Sequence, residues 1–452
     1  MPIKIYNTLT KKKEPFTPNQ GKKVNLFVCG ITPYDYAHIG HAKTYTQFDL
    51  IVKYLRYIGY EVFYLQNVTD IDDKILQRAT EKNIKPLELA RSFEGEYHKD
   101  MKALGVDSVS KFARATDYIR EIIKQVTTLM DKGFAYIVDD DGIYFNLGKF
   151  PEYGKLSGKT SLGAEDAVSR IDESVKKINK GDFCLWKKSK KNEPSWPDPW
   201  FNKGRPGWHI EDTAISEKFF GPQYDIHGGA RDLIFPHHEA EVAQMEAASG
   251  KKPFVKYWLH TGFLNVKGQK MAKSLGNFVT VRDALEKHSP KVLRFFYISG
   301  HYRSPIDFSD DLLEQAKNSL ERLSEFARKV KNSHDKDDEK LIEKTRKDFF
   351  TFMDDDFDTP KALAVIFDFV KETNKKGGGK KSYELILEFN KIIQILNTKE
   401  QDIPEEIKSL VQQREKARKG KDYGKADEIR KEIKKKGYLL DDTGEGPIVK
   451  KV

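Results

Sequence analysis

Cysteine is scarce in this chain: two residues in 452, Cys29 and Cys184, lie 155 positions apart. Such a pair cannot frame a disulfide scaffold, and a reducing compartment is expected. Long apolar runs are lacking too, since no stretch approaches the roughly 18 residues that a membrane-spanning helix needs. The opening residues, MPIKIYNTLTKKKEPF, hold no apolar core of signal-peptide length. A cytoplasmic protein without membrane contact is expected. Charge of neither sign dominates: 79 Lys and Arg face 69 Asp and Glu, a net of +10. That surplus is a mild bias toward polyanionic partners and identifies none. The length suits about two to four domains, each able to bury its own core.

What is present reads first as an α/β domain. VNLFVCG (residues 24–30) has the pattern of a short buried strand ending in glycine. Residues 41–58 then place Tyr45, Phe48, Ile51, Val52, Leu55 and Ile58 at helical spacing, and Gly59 closes the run. EVFYLQNVTD supplies a second strand, so strand, glycine turn, helix and strand open a doubly wound fold. From about 117 to 204 the texture changes. GFAYIVDDDGIYFNL predicts a hairpin around DDDG, and a Pro-, Trp- and Lys-rich stretch follows. The parallel-sheet signal is expected to return at GWHIEDTAI and YDIHGGARDLIF. Beyond about 310 the chain turns helical, with NSHDKDDEK as a linker, Thr359 as an expected N-cap and NKKGGGKKS as a flexible loop. Residues 408–437 hold 12 Lys and Arg against 5 Asp and Glu.

Two short motifs carry chemistry. His38 and His41 flank Ile39 and Gly40 where a strand hands over to a helix. Backbone N–H groups and the helix dipole favour an anion there, imidazoles can hold phosphate oxygens, and Gly40 lets a nucleotide come close. KGQKMAKSLGNF puts Lys270 and Lys273 on a glycine-flanked loop some 230 residues later, suited to a leaving pyrophosphate whose charge grows in the transition state. Each motif alone is compatible with a solvated surface. The pair is far more specific.

HIGH together with KMAKS resembles the paired signature of class I aminoacyl-tRNA synthetases. VCGITPYDYAHIGHAKT, NVTDIDDKI, GWHIE, DIHGGARDLIFPHHE, HYRSPIDFS and MDDDFDTPKALAV are similar to cysteinyl-tRNA synthetases in particular, and in the right order. The resemblance runs from about residue 3 to the end. It implies a Rossmann-type catalytic domain in two halves (1–116 and 205–265) with a connective α+β insertion (117–204). A KMSKS loop and stem-contact region (266–309), a helical bundle (310–400) and a C-terminal anticodon-binding region (401–452) follow.

The resemblance further implies a ligase that activates L-cysteine with ATP and passes it to cysteine tRNA, working as a monomer. His38, His41, Lys270 and Lys273 would be catalytic, Gly40 and Asp232 would help bind ATP with its Mg2+, and Cys29, Thr69, Trp208 and His227 would meet cysteine. His209 and His260 are expected around the same pocket. Arg414, Arg418, Lys421, Arg430 and Lys434 would touch tRNA phosphates. One Zn2+ per chain is expected to bind the substrate sulfur, which separates cysteine from serine as an apolar pocket cannot.

Its family ligands map to Cys29, His237 and Glu241, the last two sharing a helix face at i,i+4. The family's second cysteine is absent: Asp212 follows GWHIE here and is expected as an atypical ligand. At least two of Asp70, Asp72 and Asp73 are read as capping and charging the start of the next helix, and Cys184 as an apolar filler. Ala272 stands where KMSKS has serine. A cysteine-activating ligase of a small amine, and a non-catalytic zinc- and RNA-binding relative, are the alternatives.

Overall fold

The computed structural model describes residues 3–159, 176–271, 275–396, 404–443 and 446–451. The chain divides into two units, Met1–Leu396 and Asn397–Val452. Among the described residues no helix is long and apolar enough to cross a membrane.

A short antiparallel hairpin, β1 (Lys4–Asn7) and β2 (Lys12–Pro15), precedes the main sheet. β3 (Lys23–Ile31) buries both faces from Leu26 to Cys29, as a central parallel strand must. Helix α1 (Ile39–Tyr57) turns back over the sheet with Phe48, Val52 and Leu55 inward, and Gly59, at φ 94°, releases the chain into β4 (Glu61–Val68). Helices α2 (Asp73–Lys82) and α3 (Pro86–Ala103) lead to β5 (Lys111–Arg114). Asp72 caps α2 by accepting from the Lys74 N–H, and Asp73 in its first turn pairs with Lys187 at 2.8 Å. Asp70 instead turns inward and accepts from Thr116.

Helix α4 (Ile119–Asp131) opens the insertion, whose antiparallel sheet comprises β6 (Ala135–Val138), β7 (Gly142–Phe145), β8 (Phe183–Lys188) and β9 (Gly204–Pro206). Cys184 is buried there beside Val138 and Tyr144.

GWHIEDTAI does not return to the sheet. It forms helix α5 (Ile210–Phe220), correcting the strand reading. All residues from Ile210 to Ser216 are buried, so neither period shows, and the acids Glu211 and Asp212 suit a helix N-terminus. The sheet resumes with β10 (Tyr224–Ala230), then α6 (His237–Ser249) and β11 (Val255–Thr261). The order β11–β10–β3–β4–β5 is parallel throughout. Strand order reverses between β3 and β10, and a crevice outside the carboxyl ends is expected there.

β12 (Leu264–Val266), β13 (Gln269–Lys270), α7 (Val281–Lys287), α8 (Pro290–Ser299) and β14 (Ile306–Phe308) lead into four helices. These are α9 (Asp310–Asn332), α10 (Glu339–Asp354), α11 (Thr359–Lys376) and α12 (Lys380–Ile393). Thr359 is the first helical residue rather than the cap. Asp358 caps α11, its carboxylate taking the Lys361 N–H that an N-cap side chain must satisfy. In the second unit, α13 (Glu405–Lys419), α14 (Tyr423–Lys435) and the hairpin β15 (Tyr438–Thr443) and β16 (Gly446–Lys451) enclose Ile407, Leu410, Ile429 and Ile433.

Candidate active site and metal centre

Cys29 lies near the carboxyl end of β3 at the switch point, and Gly30 fixes how closely β3 and β4 approach. A Cβ on Gly30 would lie 1.7 Å from the Asn67 carbonyl oxygen. The Gly30 N–H donates to Asn67 Oδ1 (2.6 Å), and Asn67 Nδ2 donates to Asp212 Oδ1 (2.5 Å). One amide side chain therefore ties the end of β3 to the first turn of α5. Thr69 Oγ1 and Asn67 Nδ2 both donate to Glu211, the buried acid beside Asp212.

Three further donor side chains converge on Cys29. Asp212 Oδ2 lies 3.3 Å from its Sγ, His237 Nε2 lies 3.0 Å from Asp212 Oδ2 and 3.0 Å from Glu241 Oε1, and Glu241 Oε1 is 3.8 Å from Sγ. All four side chains are buried. The sequence-predicted quartet is thus brought together, atypical Asp212 included. Burial, Glu241 and Asp212 raise the Cys29 thiol well above its ordinary pKa. Burial pulls His237 down, but Glu241 and Asp212 outweigh it and lift the imidazole to about 10. Burial and Asp212 raise Glu241 to about 7 against the pull of His237. The Cys29 thiol and the Glu241 carboxyl are thus pushed toward their neutral forms, while His237 is held toward its cationic form by the carboxylates beside it.

Glu241 Oε2 is buried without a hydrogen-bond partner. Donors of these types, all within 4.8 Å of one another, fit a divalent metal ion. The metal site stands on that cluster. Trp208 is not a core residue: it is 38% exposed and stacks on His237 at 4.4 Å. His209, His227 and His260 are buried around the cluster.

The histidine turn works differently from its sequence reading. His38 caps α1, and its Nδ1 accepts the N–H groups of Gly40 (3.1 Å) and His41 (3.3 Å), while the Ile39 N–H donates to the Val279 carbonyl (3.2 Å). The first amides of α1, expected to face an anion, are satisfied inside the protein. His41 Nδ1 accepts the His38 N–H at 3.4 Å, so each ring keeps its proton on Nε2. Burial, then His38 and Lys74, hold His41 well below its usual pKa, which keeps it neutral. The rings stack at 3.7 Å.

Sequence comparison agrees with this geometry. Residues 15–318 match the family described as "tRNA synthetases class I (C) catalytic domain", residues 348–398 a "DALR domain", and residues 400–446 a "Cysteinyl-tRNA ligase anticodon binding domain". The cysteine–tRNA ligase of Caldicellulosiruptor saccharolyticus is 44% identical over 470 residues, covering all of both chains. That of Thermococcus onnurineus is 45% identical over 480 residues, again end to end.

The chain belongs to the cysteine–tRNA ligase family.

The family's fold is the class I synthetase fold. Mycobacterium tuberculosis methionyl-tRNA synthetase in complex with methionyl-adenylate superposes with a TM-score of 0.62 at 17% identity, over 83% of this chain and 90% of that one.

The remaining expected residues are dispersed. Lys270 ends β13, and Lys273 lies outside the described residues. Asp232 is exposed on a short 3-10 turn after β10. Arg418, Lys421, Arg430 and Lys434 are exposed in the second unit. Arg414 is not: it is buried and paired with Glu415 (3.1 Å), because its helix position faces the small core. Sequence reasoning missed Asn67, Glu211 and His238. Their signal was slight: a polar residue inside a strand, an acid before Asp212 and the second histidine of FPHHE.

Proposed function

We propose that this chain activates L-cysteine with ATP and esterifies the 3′-terminal adenosine of cysteine tRNA. The observation that carries this reading is the convergence of Cys29, Asp212, His237 and Glu241 at the same strand end that leads into the histidine turn. Cys29 and Asp212 face the amino-acid side of that crevice, and His38 and His41 the nucleotide side.

In the first step an oxygen of the cysteine carboxylate attacks the α-phosphorus of ATP, and the bond to the β-phosphate breaks to release pyrophosphate. The Nε2–H groups of His38 and His41 donate to phosphate oxygens whose charge grows as this happens. Lys270 and Lys273 bring ammonium groups to the departing pyrophosphate, and Mg2+ arrives with ATP. In the second step the terminal ribose hydroxyl displaces AMP from the cysteinyl carbonyl.

Cys29, Asp212, His237 and Glu241 would hold Zn2+. Bound there, zinc supplies a thiophilic contact that serine cannot match. Trp208 covers the His237 side of the site, and Asn67 fixes Asp212 in orientation. The match of residues 400–446 to an anticodon-binding domain favours tRNA over a small amine as acceptor.

Cysteine-dependent exchange of pyrophosphate into ATP, followed by charging of tRNA, tests the whole reading. Exchange without charging points to the small-amine ligase, and neither activity points to the non-catalytic relative. Metal analysis tests the ligand set: purified protein should hold one zinc, and Asp212→Ala should weaken its retention. Zinc-free protein retaining full exchange would remove the metal from the reading.

A further inference from the structure

Cys29 and Glu241 face two sets of partners. On the side away from Asp212, Cys29 Sγ lies 3.1 Å from His238 Nε2 and 3.3 Å from His227 Nε2. Glu241 divides its oxygens between the sets: Oε1 is 3.0 Å from His237, and Oε2 is 3.4 Å from His227. Oε2 is the buried oxygen without a hydrogen-bond partner. Cys29, His227, His238 and Glu241 thus offer four ligand atoms within 4.8 Å of one another. Bond lengths of about 2.0–2.3 Å in a tetrahedral shell put neighbouring donors about 3.3–3.7 Å apart. The distances from Sγ to the two rings and from His227 to Glu241 Oε2, 3.1–3.4 Å, lie near that range.

The far side of each ring is also held as in a metal site. His227 Nδ1 is 2.6 Å from the Tyr224 hydroxyl. His238 Nδ1 is 2.8 Å from His260 Nε2, and His260 Nδ1 is 2.8 Å from Thr8 Oγ1. Such outer contacts fix which nitrogen is bonded away from the centre and aim Nε2 inward. A glycine makes room for the second ring: a Cβ on Gly229 would lie 2.8 Å from the His238 ring.

The two sets differ in charge. Cys29, Asp212 and Glu241 as anions carry three negative charges against the two positive charges of the ion. Cys29 and Glu241 with two neutral imidazoles carry two, so an ion there leaves no net buried charge. Imidazole is also a softer donor than carboxylate, which suits zinc.

The geometry points to a second metal position in this site, formed by Cys29, His227, His238 and Glu241, that a thiophilic divalent ion occupies in alternation with the first. Two ions would set four positive charges against the three negative ones of Cys29, Asp212 and Glu241, which favours one ion at a time. The inference rests on the metal reading of the first set and extends it.

Cobalt(II) titration of the metal-stripped full chain tests it, read by the thiolate-to-cobalt absorption band and independent of activity. Wild type should bind one Co2+ with that band, and its absence would overturn the metal reading itself. Asp212→Asn/His237→Gln, chosen to keep volume and checked for folding by circular dichroism, should retain a saturable thiolate band. Adding His227→Gln/His238→Gln should abolish it. Alone, His227→Gln/His238→Gln should keep the band, because the first set is intact. If wild type binds but the folded Asp212→Asn/His237→Gln protein does not, the second position is refuted. It is equally refuted if the fourfold variant still shows the band, and alternation between the two positions is refuted if folded His227→Gln/His238→Gln alone loses it.

Discussion

Lys43 follows the histidine turn by two residues, yet it is 1% exposed. Its ammonium donates to the carbonyls of Gly262 (2.6 Å), Ser304 (3.1 Å) and Tyr302 (3.4 Å), closing the junction between β11 and the strand pair that leads to Lys270. Burial, reinforced by Arg231, lowers its pKa to about 7. Lys43→Met keeps the length and removes the three bonds. Hydrogen bonds from a charged donor contribute about 1.5–3 kcal/mol each, and release of the buried ammonium offsets part of that. A net loss of about 2–4 kcal/mol at pH 7 is expected. The pH dependence is more diagnostic. Between pH 7 and about 10.4 the unfolded chain keeps a proton on Lys43 that the folded chain has released. Wild-type stability therefore gains up to about 1.4 kcal/mol per pH unit from this group as pH rises, and the variant gains none. Urea unfolding of both proteins from pH 6.5 to 9.5 measures the difference. A gap that stays flat across this range would mean that Lys43 remains charged when buried, and a gap below about 1 kcal/mol would remove the three bonds from the account. Pyrophosphate exchange should show a lower kcat with little change in KM for cysteine, because the junction carries the loop and not the cysteine site.

Gly30→Ala places a methyl group against the Asn67 carbonyl at 1.7 Å, and the strands must separate. A loss above about 3 kcal/mol is expected from thermal unfolding, together with weaker metal retention as Asn67 and Asp212 move. Glu94 is buried; its pKa is lowered to about 2 because hydrogen bonds from His98 and Arg114 outweigh the upward push of burial. Its contribution is complete above about pH 4.5 and is lost as pH falls toward 2. Glu94→Gln should therefore destabilise at pH 7 and converge with wild type near pH 2 in acid unfolding curves. Arg418→Glu/Lys421→Glu/Lys434→Glu should weaken tRNA binding and flatten its salt dependence by about 0.7–0.9 per lost phosphate contact, whereas an unchanged slope would move the tRNA surface elsewhere. Arg414→Ala should act on stability instead, since Arg414 is buried.

The nucleotide-binding half was legible because its signals are local: a buried strand, a glycine, a helical period and a second strand. The quartet at Cys29 was legible through resemblance, and i,i+4 spacing gave only His237 and Glu241. GWHIEDTAI misled because a helix buried on every side shows no amphipathic period, and its dense polar residues face other polar groups instead of water. Asn67 was invisible for a related reason. Its role depends on a strand contact to Gly30 and a helix contact to Asp212, 37 and 145 positions away. Arg414 shows the limit of reading charge alone, since a basic stretch does not say which of its members turns inward.

The segment after the KMAKS motif is stitched to the histidine turn by two backbone hydrogen bonds, Ile39 N–H to Val279 and Val281 N–H to Ala37. Val279 follows Lys273 by only six residues. The segment around Val279 and the histidine turn are therefore moored at a common point, although some 240 residues of sequence lie between them. Insertions in the intervening domain can grow or shrink without altering that spacing. A change of one residue between Lys273 and Val279 would instead alter how far along the chain the motif lies from its mooring.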